Sequence, residues 1–221
     1  DPRVPWLLTH PLGEQGMKKG VIVIGNSIRP ERAKEECSGA FVVGVDKGAW
    51  FCYQNGIPMD VALGDFDSLS PEQKEVVLAY ARRKETLNPV KDDTDTAHAL
   101  AYFQGYDRIL LLGGIQGKRI EHFLANLDLL CLDSRIEMLD DYSLIKLFEP
   151  GEYEIRKDRY MFFSFFPMEE SVVSLRGFAY PLETTALPRF DPLGISNQLL
   201  GEAGSLVVEK GSVLMVASVK D

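Results

Sequence analysis

Histidine, tryptophan and cysteine are scarce in this chain of 221 residues, at three, two and three copies. Cys37, Cys52 and Cys131 lie far apart, which excludes a disulfide framework and a cysteine zinc site, and leads us to expect a reducing, cytoplasmic setting. With only His10, His98 and His122, a histidine metal cage is not expected, and no nucleophile-elbow signature supports Ser-His-Asp chemistry. No apolar run approaches the length of a membrane span. Positive charge is also in deficit: 24 Lys and Arg against 33 Asp and Glu give a formal net charge of −9. That balance argues against a broad nucleic-acid or anionic-membrane surface, both of which need clustered cations, but leaves room for a small phosphate site. Residues 1–16 carry Pro2, Pro5 and Pro11, show no period and lack the regions of a signal peptide. Met17 is therefore expected as the natural start, with the preceding residues an appended remnant; the other reading is a native, weakly ordered arm.

Hydrophobic residues make up 45% of the chain, enough for one large domain or two small ones. From residue 21 to 139, short β-branched runs (21–25, 41–45, 61–64, 109–113 and 136–139) alternate with amphipathic stretches such as 72–83 and 94–104. Continuous apolar runs suit strands buried on both faces, so the alternation predicts a parallel sheet with helices on both sides. The stretch 119–131 reads as a helix with a buried stripe of Ile120, Phe123, Leu124, Leu127, Leu130 and Cys131, flanked by a polar stripe of Arg119, His122 and Asn126. After Asp141 the pattern changes to short runs (142–148, 153–155, 160–166, 171–175 and two near the end) separated by Gly, Pro and charged turns. The expected fold class is thus α/β plus all-β: an α/β nucleotide- and Mg-binding domain over 17–141, and a β-sandwich-like domain over 142–221.

Acidic residues gather at predicted strand ends. Asp46 follows the run 41–45, and Asp65 and Asp67 follow the run 61–64 in Gly64-Asp65-Phe66-Asp67-Ser68. Ligands of open parallel sheets bind beyond the carboxyl ends of the strands, and paired carboxylates suit a hard cation. The plainer reading is a turn, with Ser70 capping a helix that begins at Pro71; this accounts for Ser70 but not for Asp65. A second group, Lys91-Asp92-Asp93-Thr94-Asp95-Thr96, opens a helix, where acids offset the helix dipole. Alone it reads as capping; with Asp65 and Asp67, Asp95 completes a plausible three-carboxylate magnesium site, and Lys91 could neutralise a phosphate. The glycines of Gly113-Gly114-Ile115-Gln116-Gly117-Lys118-Arg119 could bring backbone N–H groups to a phosphate, with Arg119 adding a charged fork. A Gly-rich loop is a weak signal by itself, and no Gly-Lys-Ser/Thr closes this one.

In order and spacing, Gly64–Ser68, Lys91–Asp95, residues 113–126 and Gly194-Ile195-Ser196-Asn197 resemble the thiamine pyrophosphokinase family. The resemblance runs from Val21 nearly to the C-terminus and implies diphosphate transfer from ATP to the hydroxyl of thiamine, with AMP leaving and Mg²⁺ assisting. It implies a homodimer with active sites between subunits. Carried over, it makes Asp65, Asp67 and Asp95 the catalytic and metal-binding acids. It puts Asp46, Lys91, Asp92, Gly114, Lys118, Arg119, Glu121 and His122 on the ATP and phosphate side, and Ser196 and Asn197 beside thiamine. One departure is that Gly117-Lys118-Arg119 here precedes Glu121-His122, where the family usually has Asp-His. Thiamine is a cation and favours aromatic faces, for which Tyr180 and the group 162–166 are candidates. The rival readings are a pyrophosphokinase acting on a pterin alcohol and a nucleotide-binding regulator without catalysis.

Overall fold

The computed structural model describes residues 17–25, 27–88, 94–117 and 119–220. Lys91, Asp92, Asp93, Lys118 and the segment before Met17 lie outside the described residues. The chain divides into two compact units, one spanning Gly16–Asp141 and one built on Tyr142–Asp221.

In the N-terminal unit, β1 (Lys19–Val23), β2 (Phe41–Val45), β3 (Val61–Gly64), β4 (Arg83–Thr86), β5 (Arg108–Leu112) and β6 (Ile136–Leu139) alternate with helices. The helices are α1 (Pro30–Cys37), α2 (Lys47–Gln54), α3 (Pro71–Tyr80), α4 (Asp95–Ala99) and α5 (Ile120–Leu132). The strands run parallel in the order β4-β3-β2-β1-β5-β6. Val21, Ile22, Val43, Leu63 and Ile109 to Leu112 are fully buried, as continuous apolar strands covered on both faces should be. The chain order reverses between β1 and β5, which puts the switch point of the sheet between the carboxyl ends of these two strands.

Two helix readings need correction. The stretch 72–83 stops being helical at Tyr80, and Arg83–Thr86 forms β4 instead. Arg82 N–H already donates to Met59 O (3.2 Å) and Arg83 N–H to Asp60 O (2.9 Å), so the sheet captures this backbone. The sequence Arg-Lys-Glu-Thr hides the strand because an exposed edge takes charge rather than apolar residues. On α5, Ile120 and Leu124 are 61% and 52% exposed, whereas Leu130 and the polar Asn126 are buried. The predicted buried stripe is therefore only partly inside.

The stretch 94–104 forms α4 and then a 3-10 turn, Leu100–Phe103. The Phe103 ring occupies the space a Cβ on Gly20 would need, at 2.2 Å. The segment thus crosses the sheet from its carboxyl edge at Asp95 to its amino edge at Phe103.

The C-terminal unit is antiparallel. It comprises β7 (Ser143–Phe148), β8 (Gly151–Arg156), β9 (Phe162–Pro167), β10 (Ser171–Arg176), β11 (Leu182–Leu187), β12 (Ala203–Lys210) and β13 (Val213–Ser218). One layer is ordered β7-β13-β9 and the other β11-β10-β12-β8. The consecutive aromatics of β9 divide by face: Phe163 and Phe165 are buried, and Phe166 is exposed. Phe178, just past β10, meets Phe163 and Phe165 edge-on at 6.2 and 5.6 Å, joining the two layers.

Candidate active site

The acidic group is assembled by backbone shape. Asp46, between β2 and α2, has φ 47°, an uncommon value for a residue with a side chain. Its N–H donates to Leu63 O (3.0 Å), and its Oδ1 accepts from Phe66 N–H (3.0 Å). The carboxylate fits there because Gly64, at φ +144°, has no Cβ; one would lie 2.0 Å from Asp46 Oδ1. Gly48 allows a similar approach, since a Cβ on it would lie 1.8 Å from Val23 O.

The Asp65 turn is pinned from below. Phe66 has φ 58° and a fully buried ring, 5.6 Å beneath the Lys74 ammonium. Lys74 Nζ also donates to Asp65 O (3.2 Å), and Asp67 N–H donates to Asp65 Oδ1 (3.0 Å). Ser70 then caps α3 in a reciprocal capping box with Gln73, the role its sequence position predicts. Asp95 is the first residue of α4, whose N-cap Thr94 accepts from Ala97 N–H (3.1 Å).

Carboxylate oxygens of Asp46, Asp65 and Asp95 lie within 4.8 Å of one another. This brings together Asp65 and Asp95, two of the predicted metal ligands, with Asp46, which the sequence reading placed on the phosphate side. Asp67 is exposed and outside the group. At about 4.8 Å and an effective dielectric of about 20, each ionised pair repels by about 3 kcal/mol, which a divalent cation would offset. Octahedral Mg²⁺, with bonds of about 2.1 Å, places opposite ligands about 4 Å apart and takes only oxygen donors. The three half-buried carboxylates fit that ion in donor type, and a small inward shift from within 4.8 Å of one another would bring them onto one cation.

Next to this group, at the switch point of the sheet, are the loops that leave β1 and β5. Gly25 and Gly113 are pressed together: a Cβ on Gly25 would lie 2.3 Å from Gly113 O. Ser27 Oγ donates to Gly113 O (2.9 Å), and Gln116 Nε2 to Asp140 Oδ2 (3.0 Å). Gly114 lies against Ile24 and the buried Asn126, so the inner end of the predicted polar stripe supports this loop. Arg119 and His122 face solvent. Arg119 Nε pairs with Glu121 at 2.7 Å. The Glu121 carboxyl is held below its usual range, first by its own backbone N–H and then by Arg119. A cavity of about 400 Å³ lined by Cys37, Val42, Ile57 and Asp60 lies at the other, amino edge of the sheet, away from the acids.

In the C-terminal unit, Ser196 is exposed with φ 56°. Asn197 is buried and occupied: its Oδ1 accepts from the N–H groups of Tyr180 (3.0 Å) and Gln198 (2.9 Å), and its Nδ2 donates to Tyr180 O (2.7 Å). Its side chain thus shapes the loop that presents the Tyr180 ring, which is 65% exposed.

Sequence reading missed Glu85 on β4. It meets His98 Nε2 at 3.0 Å and accepts from the Tyr102 hydroxyl. These contacts draw the Glu85 carboxyl below its usual range, with Tyr102 the largest cause, while burial and then Glu85 push Tyr102 up to about 12. The available signal was the spacing of Asp95, His98 and Tyr102, which share one helical face.

A family model for the thiamin pyrophosphokinase catalytic domain matches residues 34–139, and one for the thiamin pyrophosphokinase vitamin B1 binding domain matches residues 152–213. The chain is 34% identical over 186 residues to the thiamine pyrophosphokinase of Bacillus subtilis strain 168, covering 80% of this chain and 86% of that one. A crystal structure of thiamine pyrophosphokinase from B. subtilis superposes with a TM-score of 0.82 at 30% identity, over 92% of this chain and 100% of that one. The thiamin pyrophosphokinase structure from Geobacillus thermodenitrificans gives 0.76 at 28% identity, over 91% and 98%.

Proposed function

Since the chain belongs to the thiamine pyrophosphokinase family, we propose that its acidic group holds Mg²⁺ while diphosphate passes from ATP to the hydroxyl of thiamine and AMP departs. The enzyme is a transferase that makes thiamine diphosphate. The observation carrying the site assignment is the convergence of Asp46, Asp65 and Asp95 beside the sheet's switch point.

When bound, the cation supplies charge neutralisation and alignment at the transferring phosphoryl oxygens. The chain's own residues then divide the work. Asp46, Asp65 and Asp95 hold the ion. Asp67, exposed and outside that group, takes the proton of the attacking hydroxyl. The Gly113 N–H is taken by Leu139 O (3.1 Å), so the loop offers phosphate the N–H groups that follow, beginning with Gly114, and Arg119 turns from Glu121 to the nucleotide. Lys91, Asp92, Lys118, Glu121 and His122 belong to the nucleotide side in this reading. Tyr180, held by Asn197, offers thiamine an aromatic face, with Ser196 nearby in sequence.

We propose further that the protein works as a two-fold dimer in the cytoplasm. Its three cysteines are unpaired, and no described helix is long and apolar enough to cross a membrane. Phosphorus NMR of a reaction with ATP, thiamine and Mg²⁺ tests the chemistry. AMP and thiamine diphosphate should accumulate together; ADP with thiamine monophosphate would refute it.

A further inference from the structure

The three acids of the site are not held alike. Asp46 is seated by Gly64 and the Phe66 N–H, and Asp65 by a turn pinned on the buried Phe66 ring. Asp95 instead rides on α4, a helix of only five residues. What fixes this helix decides whether the third carboxylate reaches the other two.

The aromatic anchors of the segment lie at its far end. Phe103 fills the notch at Gly20, and Phe41 packs against Tyr102 and Phe103 at 6.3 and 5.9 Å. From Asp95 to Phe103 the helical rise is about 12 Å. Over that lever a tilt of about 10° moves the carboxylate about 2 Å, ten times the tolerance of about 0.2 Å on a metal bond. Rings packed at one end do not set that angle. Glu85 acts closer to the acid: its Oε1 meets His98 Nε2 at 3.0 Å, and its Oε2 accepts from the Tyr102 hydroxyl. An ionised carboxylate only accepts, and here each oxygen takes one donor from the helical face that carries Asp95. β4 in turn is locked to the strand leading into Asp65, with Glu85 beside Leu63 and Thr86 beside Gly64 in register.

We propose that Glu85 is a positioning residue: by receiving His98 and Tyr102 together, it sets the tilt and rotation of α4 and holds Asp95 within reach of Asp46 and Asp65. This rests on the metal reading of the acidic group. A merely structural role would lower the melting temperature without altering the metal affinity of the folded protein; a positioning role alters that affinity.

The test is Mn²⁺ binding to the substrate-free protein, followed by the electron paramagnetic resonance of the free ion. It compares wild type with Glu85→Leu, Tyr102→Phe and Asp65→Asn. Glu85→Leu removes both acceptor oxygens, whereas Gln could still hold both partners by donating its amide to the Tyr102 hydroxyl, and Tyr102→Phe keeps the ring and loses only the hydroxyl. Both should bind Mn²⁺ at least about 10-fold more weakly while remaining folded, the range typical of groups that orient metal ligands. Affinity within twofold of wild type in both, with Asp65→Asn impaired, would overturn the positioning role and leave the metal site standing. No Mn²⁺ binding by the wild type would overturn both.

Discussion

A methyl group at Gly64 would lie 2.0 Å from Asp46 Oδ1, on a backbone with φ +144°. Two costs therefore combine at this residue: a conformation that side chains resist, and a collision with a carboxylate of the site. Gly39 separates them. It also has positive φ, at +70°, but a Cβ there meets nothing within 4 Å. We predict that Gly39→Ala costs about 1–2 kcal/mol of stability and leaves turnover near wild type. Gly64→Ala should cost more than Gly39→Ala and abolish turnover, because Asp46 must leave its seat. Chemical denaturation and a turnover assay on the two variants check this; a Gly64→Ala enzyme with normal activity would show that Asp46 is not held as described.

At the scale of elements, the buried strands were legible because being covered on both faces forces continuous apolar runs, as in Ile109–Leu112. β4 was not, because an edge strand carries its information in backbone pairing with Val61–Gly64 rather than in apolar side chains. The helix over Pro71–Tyr80 was legible at its start, where Ser70 and Gln73 form a capping box, and misread at its end, where sheet pairing overrides helical pattern. On α5 the apolar period is real, yet Ile120 and Leu124 remain exposed while Asn126 is buried under Gly114. Periodicity reports which residues share a face, not how much of that face the chain itself covers. Carboxylates at strand ends were legible in the sequence, but not which three of them converge. Asp46, Asp65 and Asp95 converge through φ 47° at Asp46, the missing Cβ of Gly64 and the Glu85 contacts, none of which leaves a periodic trace.

For the whole molecule, the exposed apolar side chains bear on assembly. Phe190, Leu200, Tyr180 and Leu193 of the C-terminal unit are 85%, 76%, 65% and 56% exposed, and Leu132 at the end of α5 is 84% exposed. The proposed dimer would cover side chains of this kind. Sedimentation equilibrium should therefore give a mass near twice the 24.7 kDa of the chain; a stable, active monomer would contradict the dimer. Thiamine diphosphate formation against Mg²⁺ concentration, for wild type, Asp46→Asn and Asp65→Asn, probes the acidic group itself. Neither substitution opens a cavity, so both proteins should remain folded, and the loss of mutual repulsion should leave stability equal or higher. Each variant should lose at least about 100-fold in kcat, not restored by saturating Mg²⁺. Near-normal turnover by either variant at saturating Mg²⁺ would contradict the metal-binding role of these acids.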